Sequence, residues 1–229
     1  MGIFNIFKNN ANKGSKTAAQ RKQATEKLLK SAGIPFIDHL PLLEEESEVK
    51  IRTAREIAER ILVLTYLGYI AEVPGEGEVV INFLKQYSLW DKASPAEKEL
   101  FQKEKLTKRE AVDISWRCEA AWLLLWVIGK TGDLELPVNQ VEIGEIIERL
   151  PEFLDSPAQF IESAAARPAS EILDIADLTY RLHWAARNAD LKKQPQPAGL
   201  NLSVIMERHH AINWVTFYGD EWDEITTDT

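Results

Sequence analysis

The sequence predicts an all-α protein that folds as one compact, orthogonal or irregular bundle of about eight helices, with the two C-terminal helices at its centre. Two observations support this fold class. Apolar residues recur at helical spacing through most of the chain, and several of these runs follow a Ser or Thr that stands three positions before a Glu or Gln. No segment combines the strict alternation of a half-buried strand with a hairpin partner.

The helix starts can be placed by their capping residues. Four segments contain the S/T-x-x-E/Q pattern, which satisfies free backbone amides at a helix start. The pairs are Thr53 with Glu56, Ser94 with Glu97, Thr107 with Glu110, and Ser156 with Gln159. Helices are predicted to begin near residues 17, 53, 78, 95, 107, 157, 170 and 201, with a short one near 142. Val79 to Ile81 could start a strand, but they continue into NFLKQYSLW without alternation and are predicted to be helical.

The chain is predicted to form a single helical domain over residues 17–229, preceded by a flexible N-terminal leader over residues 1–16. Breaks that contain Gly or Pro separate the predicted helices, and none is long or biased enough to be an interdomain linker. With 229 residues, 45% of them hydrophobic, the chain can bury a sizeable core.

The charge balance restricts the partners. The formal net charge is −9, from 36 acidic and 27 basic residues, which disfavours nucleic-acid binding and favours a protein partner with a basic surface. The longest apolar run, AAWLLLWVIG, is about half the ~20 residues that a bilayer-spanning helix needs, so no membrane partner is expected. A single cysteine excludes an internal disulfide, and a cytoplasmic location is expected.

Two features resemble catalytic signals but lack the rest of a motif. Cys118 could be a nucleophile, yet it stands in the apolar segment WRCEAAWLLLW, where a buried and inert thiol is the ordinary case. The segment GKTGD at 129–133 lacks the spacing of a phosphate-binding loop and follows a helix instead of a strand. Nucleotide hydrolysis is therefore disfavoured, and no cofactor is predicted.

The helix predicted to begin near residue 170 carries polar side chains on two faces. One face, predicted to face solvent, holds Asp174, Asp177, Arg181 and Asn188. His183, Arg187 and Asp190 fall at i, i+4 and i+7 among apolar residues, on the face predicted to be buried. Because an unpaired buried charge is costly, these three residues are predicted to pair with each other or with the next helix.

The last predicted helix is apolar around its whole circumference between residues 204 and 218, which is typical of a helix enclosed by others. It nevertheless contains four consecutive polar residues, Glu207, Arg208, His209 and His210. The simplest hypothesis is a polar network shared by the two C-terminal helices, in which Arg187 or Arg208 faces Glu207 or Asp190. The acidic tail follows, and its Trp222 predicts that the tail docks on the body of the protein.

Segments spread over most of the chain resemble a bacterial family. The C-terminal segments are ILDIADLTYRLHWAARNA, VIMERHHAINW and WDEITTDT, and the earlier ones are RKQATEKLLKSAGIP with HLP, RTAREIAER, and WRCEAAWLLLWVIGK followed by LELP. On these segments the chain resembles, from about residue 20 to its end, domain-of-unknown-function family 4272. The resemblance implies no activity, cofactor or catalytic residue.

Three classes of function remain open. A non-enzymatic interaction protein, immunity-like or regulatory, is favoured because the acidic and compact helical chain lacks a recognisable catalytic motif. The alternatives are a metal-dependent or acid/base hydrolase built on the C-terminal cluster, and a purely structural polar cluster. The candidate catalytic residues are His183, Arg187, Asp190, Glu207, Arg208, His209 and His210.

The two hydrolase variants make different demands. Glu207 and His210 have the i, i+3 spacing found in carboxylate-bridged dimetal bundles, but such sites need two of these elements and two further glutamates. The chain offers one element, so no metal is predicted and these two residues are weak candidate ligands. The metal-free variant would use His183 or His209 as a base and requires an open cleft.

Overall fold

A computed structural model describes residues 16–229, and within this range the chain forms nine α-helices and no strand. The first five are α1 (Ala18–Ser31), α2 (Ala54–Glu72), α3 (Gly77–Gln86), α4 (Pro95–Phe101) and α5 (Lys108–Val127). The other four are α6 (Ile143–Ile147), α7 (Ala158–Glu162), α8 (Ala169–Leu191) and α9 (Leu202–Val215). Single turns of 3₁₀ helix lie at Trp90–Lys92, Pro197–Gly199 and Trp222–Glu224. The predicted all-α class is confirmed.

The helix boundaries follow the capping residues. Helices α2, α4 and α5 begin after the predicted caps Thr53, Ser94 and Thr107, and each forms the complete reciprocal box with the glutamate three positions later. Helix α1 begins in the same way after Thr17, whose box with Gln20 was not predicted. Every predicted start lies within one residue of the start in the structure.

The predicted capping box at Ser156 is wrong. Helix α7 begins at Ala158 with Pro157 as its N-cap, one residue later than the box requires. Gln159 therefore stands one position too early in the helix to reach back to the cap. The hydroxyl of Ser156 instead accepts a 3.4 Å hydrogen bond from the backbone amide of Ala158.

The longer helices pack in a row in the order α2, α5, α9, α8 and α1. Both C-terminal helices, α8 and α9, occupy inner positions of this row, in agreement with the prediction, and α5 shares the centre with them. Leu123, Leu124 and Leu125 on α5 are completely buried. The short helices α3, α4 and α7 pack on α2, and α6 packs on α5.

The prediction for the polar faces of α8 is correct for His183, which is buried, and wrong for four other residues. Asp177 and Arg181, predicted to face solvent, are buried and form an ion pair in which Arg181 Nη2 lies 2.8 Å from Asp177 Oδ1. Helix α1 packs on α8, and Arg181 also donates to the backbone carbonyl of Pro41 in the segment after α1. Arg187 and Asp190, predicted to face the core, are exposed near the end of α8, where Leu191 is 73% exposed.

The C-terminal tail docks through Trp222, as predicted. Trp222 is 3% exposed, and its ring lies against those of Trp214 and His210, with centroids 5.5 and 4.5 Å apart. Arg52, just before α2, holds the preceding residues: its Nη2 donates to the carbonyl of Asp220 at 2.5 Å, and its guanidinium lies 4.3 Å from the Trp214 ring centroid. The tail thereby links α9 to the start of α2.

The predicted leader over residues 1–16 lies outside the described residues, except for Lys16. The ammonium group of Lys16 pairs with the carboxylate of Asp174 on α8. Within residues 16–229, no helix has both the length and the apolar composition that spanning a lipid bilayer requires.

We expect Trp222→Ala to lower the free energy of unfolding by about 3 kcal/mol or more, because it empties a buried aromatic site and removes the anchor of the tail. Denaturant unfolding followed by circular dichroism measures the change. Leu191→Ala is the control, since it removes an exposed side chain and should change stability by no more than about 0.5 kcal/mol. Equal, small effects of both substitutions would show that the tail is not docked in solution.

Candidate functional site

Two of the candidate histidines form a buried pair between α8 and α9. The Nδ1 atoms of His183 and His209 lie 2.8 Å apart, so one ring donates its N–H to the other. Burial lowers the pKa of His183 to about 4 and that of His209 to about 3. Both rings are therefore neutral at pH 7, and their hydrogen bond joins the two helices.

Arg208 pairs with α5 and not with the predicted partners. Its Nε donates to Glu119 Oε2 at 2.8 Å, and its Nη1 donates to the carbonyl of Glu135 at 2.8 Å. Glu119 is completely buried, and its Oε1 also accepts from the backbone amide of Val141 at 2.5 Å. The ion pair thus fixes α9 against α5 and against the segment that leads to α6.

Glu207 and His210 have different neighbours. A carboxylate oxygen of Glu207 lies 3.9 Å from Arg117 Nη1, and burial raises the pKa of this carboxyl. The ring of His210 lies against Trp222, and burial lowers its pKa to about 4. Among residues 16–229, no three His, Cys, Asp or Glu side chains come together in a way that could hold a metal ion.

The predicted shared network is therefore divided into separate contacts. His183 and His209 pair with each other, Arg208 pairs with Glu119, and Arg187 and Asp190 are exposed. The cavity beside Arg208 has a volume of about 10 Å³, which is room for about one water molecule and not for a substrate. This part of the described chain has the character of a packed interior.

A much larger cavity lies at the other end of the row of helices. We call it the α2–α5 pocket: it has a volume of about 590 Å³, and its walls come from α2, α5, α6 and the loop before α7. Its main wall residues are Leu62, Gly68, Tyr69, Ile114, Cys118, Ile147 and Phe153. The volume lies within the range of about 300–1,000 Å³ that is typical of ligand sites.

Few polar groups line the α2–α5 pocket. The side-chain amide of Gln140 donates to the carbonyl of Ser115 and approaches Cys118 Sγ at 3.2 Å. Cys118, predicted to be a buried core thiol, is half-buried and borders the pocket. Burial raises the pKa of this thiol to about 11, so it is protonated at neutral pH and is a poor nucleophile.

Aromatic side chains hold the loop that closes the pocket on one side. The ring of Phe153 lies on that of Tyr69, with centroids 4.2 Å apart. The hydroxyl of Tyr66 accepts from the backbone amide of Leu154 at 3.0 Å. Phe153 nevertheless remains 47% exposed, so the loop presents an aromatic face to solvent at the edge of the pocket.

The sequence of this helical chain matches the family model described as "Domain of unknown function (DUF4272)" over residues 21–225. The chain belongs to the DUF4272 family. The resemblance seen in the sequence is confirmed, and both the C-terminal polar residues and the α2–α5 pocket lie within the DUF4272 domain. No curated protein and no solved structure matches the chain.

The pocket of this DUF4272 domain was not predicted from the sequence. Of its main wall residues, only Cys118 was considered there, as a possible nucleophile. One signal could have indicated it. Gly68 stands inside the long apolar helix α2, where a glycine costs about 1 kcal/mol relative to alanine. A glycine inside a helix, where no turn requires it, is a reason to look for another group that approaches the helix backbone closely at that position.

We expect the imidazoles of His183, His209 and His210 to remain neutral in the folded DUF4272 domain at about pH 5.5, because their pKa values are about 4, 3 and 4. In the unfolded chain a histidine takes up a proton at a pKa of about 6.5. The unfolded state therefore binds more protons than the folded state as the pH falls from about 6.5 towards 4. Protonation of these three residues in the unfolded chain lowers the free energy of unfolding across that pH range.

Nitrogen chemical shifts of the imidazoles, followed from pH 7 to 4, report their protonation, and urea unfolding at several pH values reports the stability. A ring among the three that titrates near pH 6.5 in the folded protein would show that the pair or the Trp222 contact is open to solvent.

Proposed function

We propose that this protein is a non-enzymatic binding protein of the bacterial cytoplasm and that the α2–α5 pocket is its binding site. The observation that carries this proposal is the form of the pocket: an apolar cavity of about 590 Å³ with exposed apolar residues at its edge. The chain's formal net charge of −9 favours a partner with a basic surface. A single cysteine is compatible with a reducing compartment.

Gly68 supports a ligand in this pocket. A Cβ atom added to Gly68 would meet nothing within 4 Å, and its backbone is ordinary helix, so neither close packing nor a turn in the protein requires glycine there. Alanine would make α2 more stable by about 1 kcal/mol. A group from outside that approaches the backbone of α2 closely would account for the missing side chain.

The chemistry of the pocket walls favours binding over catalysis. With a pKa of about 11, Cys118 has a thiolate fraction of about one in 10⁴ at pH 7. The candidate histidines His183, His209 and His210 do not line the pocket. A hydrolase built on them would need an open cleft, and the nearby cavity beside Arg208 is about 10 Å³.

We propose a structural role for the C-terminal polar residues. Arg208 and Glu119 bridge α9 and α5 while buried, and His183 and His209 bridge α8 and α9. These contacts fix the positions of neighbouring helices in the row. A charge that loses its partner in such an interior is strongly destabilising.

We expect Arg208→Ala to lower the free energy of unfolding by about 3–5 kcal/mol, because it leaves the carboxylate of Glu119 buried without its guanidinium. The double variant Glu119→Gln/Arg208→Met should be less destabilised than Arg208→Ala alone, since it removes both charges and keeps an oxygen to accept from Val141. Denaturant unfolding of the three proteins tests this. If Arg208→Ala is as stable as the unsubstituted protein, the proposed structural role is wrong.

The binding function is tested by filling the pocket. We expect the protein to retain a stoichiometric partner from a native lysate, and Gly68→Phe to lose it because the new ring occupies the cavity. Gly68→Ala is the matched control: it stabilises α2, leaves most of the cavity open and should retain the partner. Thermal unfolding confirms that both variants fold. No stoichiometric partner, or one held equally by Gly68→Phe, would contradict the proposal.

A further inference from the structure

The α2–α5 pocket has an acidic rim. Two exposed carboxylates, those of Glu72 at the end of α2 and of Asp155 on the loop before α7, line the pocket. Four more carboxylates are exposed in the segment that contributes one wall, at Glu142, Glu145, Glu148 and Glu152. None of the six forms an ion pair with another residue in the range 16–229. The segment also contains one basic residue, Arg149, whose guanidinium lies over the Trp122 ring, so the rim keeps an excess of negative charge that it can offer to a partner.

Apolar side chains of the same segment are exposed at the edge of the pocket. Ile143 and Ile147 stand at i and i+4 on α6 and are 52% and 57% exposed, and Phe153 follows on the loop. The three continue the apolar lining of the pocket out to its edge. Exposed apolar side chains that join an open cavity are typical of a surface covered by a partner.

The pocket is elongated along α2. Its wall on this helix extends from Leu62 to Glu72, which at 1.5 Å per residue is about 15 Å. That length accommodates about ten residues of a second helix, or three apolar side chains at i, i+3 or i+4, and i+7. Gly68 lies within this stretch and allows close approach of another backbone.

The walls of the pocket decide which peptide conformation fits. They are built largely from α2, α5 and α6, whose backbone groups are engaged in their own helices, and no strand edge is present within residues 16–229. An extended peptide would bury backbone amides and carbonyls that find no partners here. An α-helix satisfies its own backbone groups and presents only side chains to an apolar wall.

We propose that the occupant of the α2–α5 pocket is a basic amphipathic α-helix of a partner polypeptide. Its apolar face lies in the pocket against Gly68, Ile147 and Phe153, and its Lys and Arg side chains lie over the acidic rim. The exposed face of Phe153 provides an additional contact for such a cation. This inference depends on the proposed function, because it specifies the partner of the same site.

A displayed library of random 18-residue peptides tests the inference, selected on the full-length protein and depleted on Gly68→Phe. We expect the selected peptides to have a positive net charge, apolar residues at i, i+3 or i+4 and i+7, and helical structure when bound. As synthetic peptides they should bind at least about tenfold more weakly to Gly68→Phe than to Gly68→Ala, because the apolar face is excluded. Ile147→Lys should also weaken binding. Because Ile147 is exposed and lies on α6, this result does not require α2 to accept a large side chain.

The contribution of the acidic rim to binding is tested by two substitutions that change the charge by the same amount. Glu72→Lys, at an exposed carboxylate that lines the pocket, should weaken binding about three- to tenfold at low salt, and less at high salt. Asp190→Lys, on the exposed last turn of α8, should leave binding unchanged. Selected peptides that are acidic, extended or proline-rich, or the absence of peptides that distinguish Gly68→Phe, would overturn the inference.

A small cationic amphiphile separates this inference from the proposed function. If decyltrimethylammonium binds the protein and Gly68→Ala but not Gly68→Phe, while the library yields no helical peptide, the helix inference is wrong and the pocket stands as a binding site. If neither the amphiphile nor any peptide distinguishes Gly68→Phe, and the lysate yields no partner, both proposals are wrong.

Discussion

The completely buried carboxylate of Glu119 is the point on which the arrangement of the helices depends. One oxygen accepts from Arg208 on α9, and the other accepts from the backbone amide of Val141. A carboxylate in an apolar interior is tolerated only when its oxygens are satisfied, so α9 and the segment before α6 must both be in place around α5. Val141 in turn lines the α2–α5 pocket, and the buried ion pair therefore positions one of the pocket's walls.

The same reasoning supports the proposed structural role of the charged and imidazole side chains in the C-terminal helices. They come from helices that must pack closely, and each fixes a different interface: His183 to His209, Arg208 to Glu119, and His210 to Trp222. The α2–α5 pocket lies elsewhere, between helices whose facing residues are mostly apolar.

Local signals could be predicted from the sequence, and contacts between distant segments could not. Hydroxyl caps such as Thr53 and Thr107 place helix starts because the capping box involves only four consecutive residues. Periodicity separates the two polar faces of α8 but does not say what another helix will cover. Asp177 and Arg181 were therefore predicted to be exposed, although α1 and the segment after it cover them. Glu119 as the partner of Arg208 lies 89 positions away, and the pocket is the space that three separate segments leave unfilled.

The α2–α5 end of the molecule combines three features that each reduce the stability of the isolated protein. Gly68 weakens α2, the cavity forfeits packing contacts, and Ile143, Ile147 and Phe153 expose apolar surface. Any one of them alone is common in a stable domain. Their coincidence at a single place, beside six unpaired carboxylates and opposite a well-packed polar interior, is difficult to attribute to chance defects in packing. A partner that fills the cavity and neutralises the rim would relieve all of them together, which is why this end of the helical row, and not the cluster of histidines, is where the function of the protein should be sought.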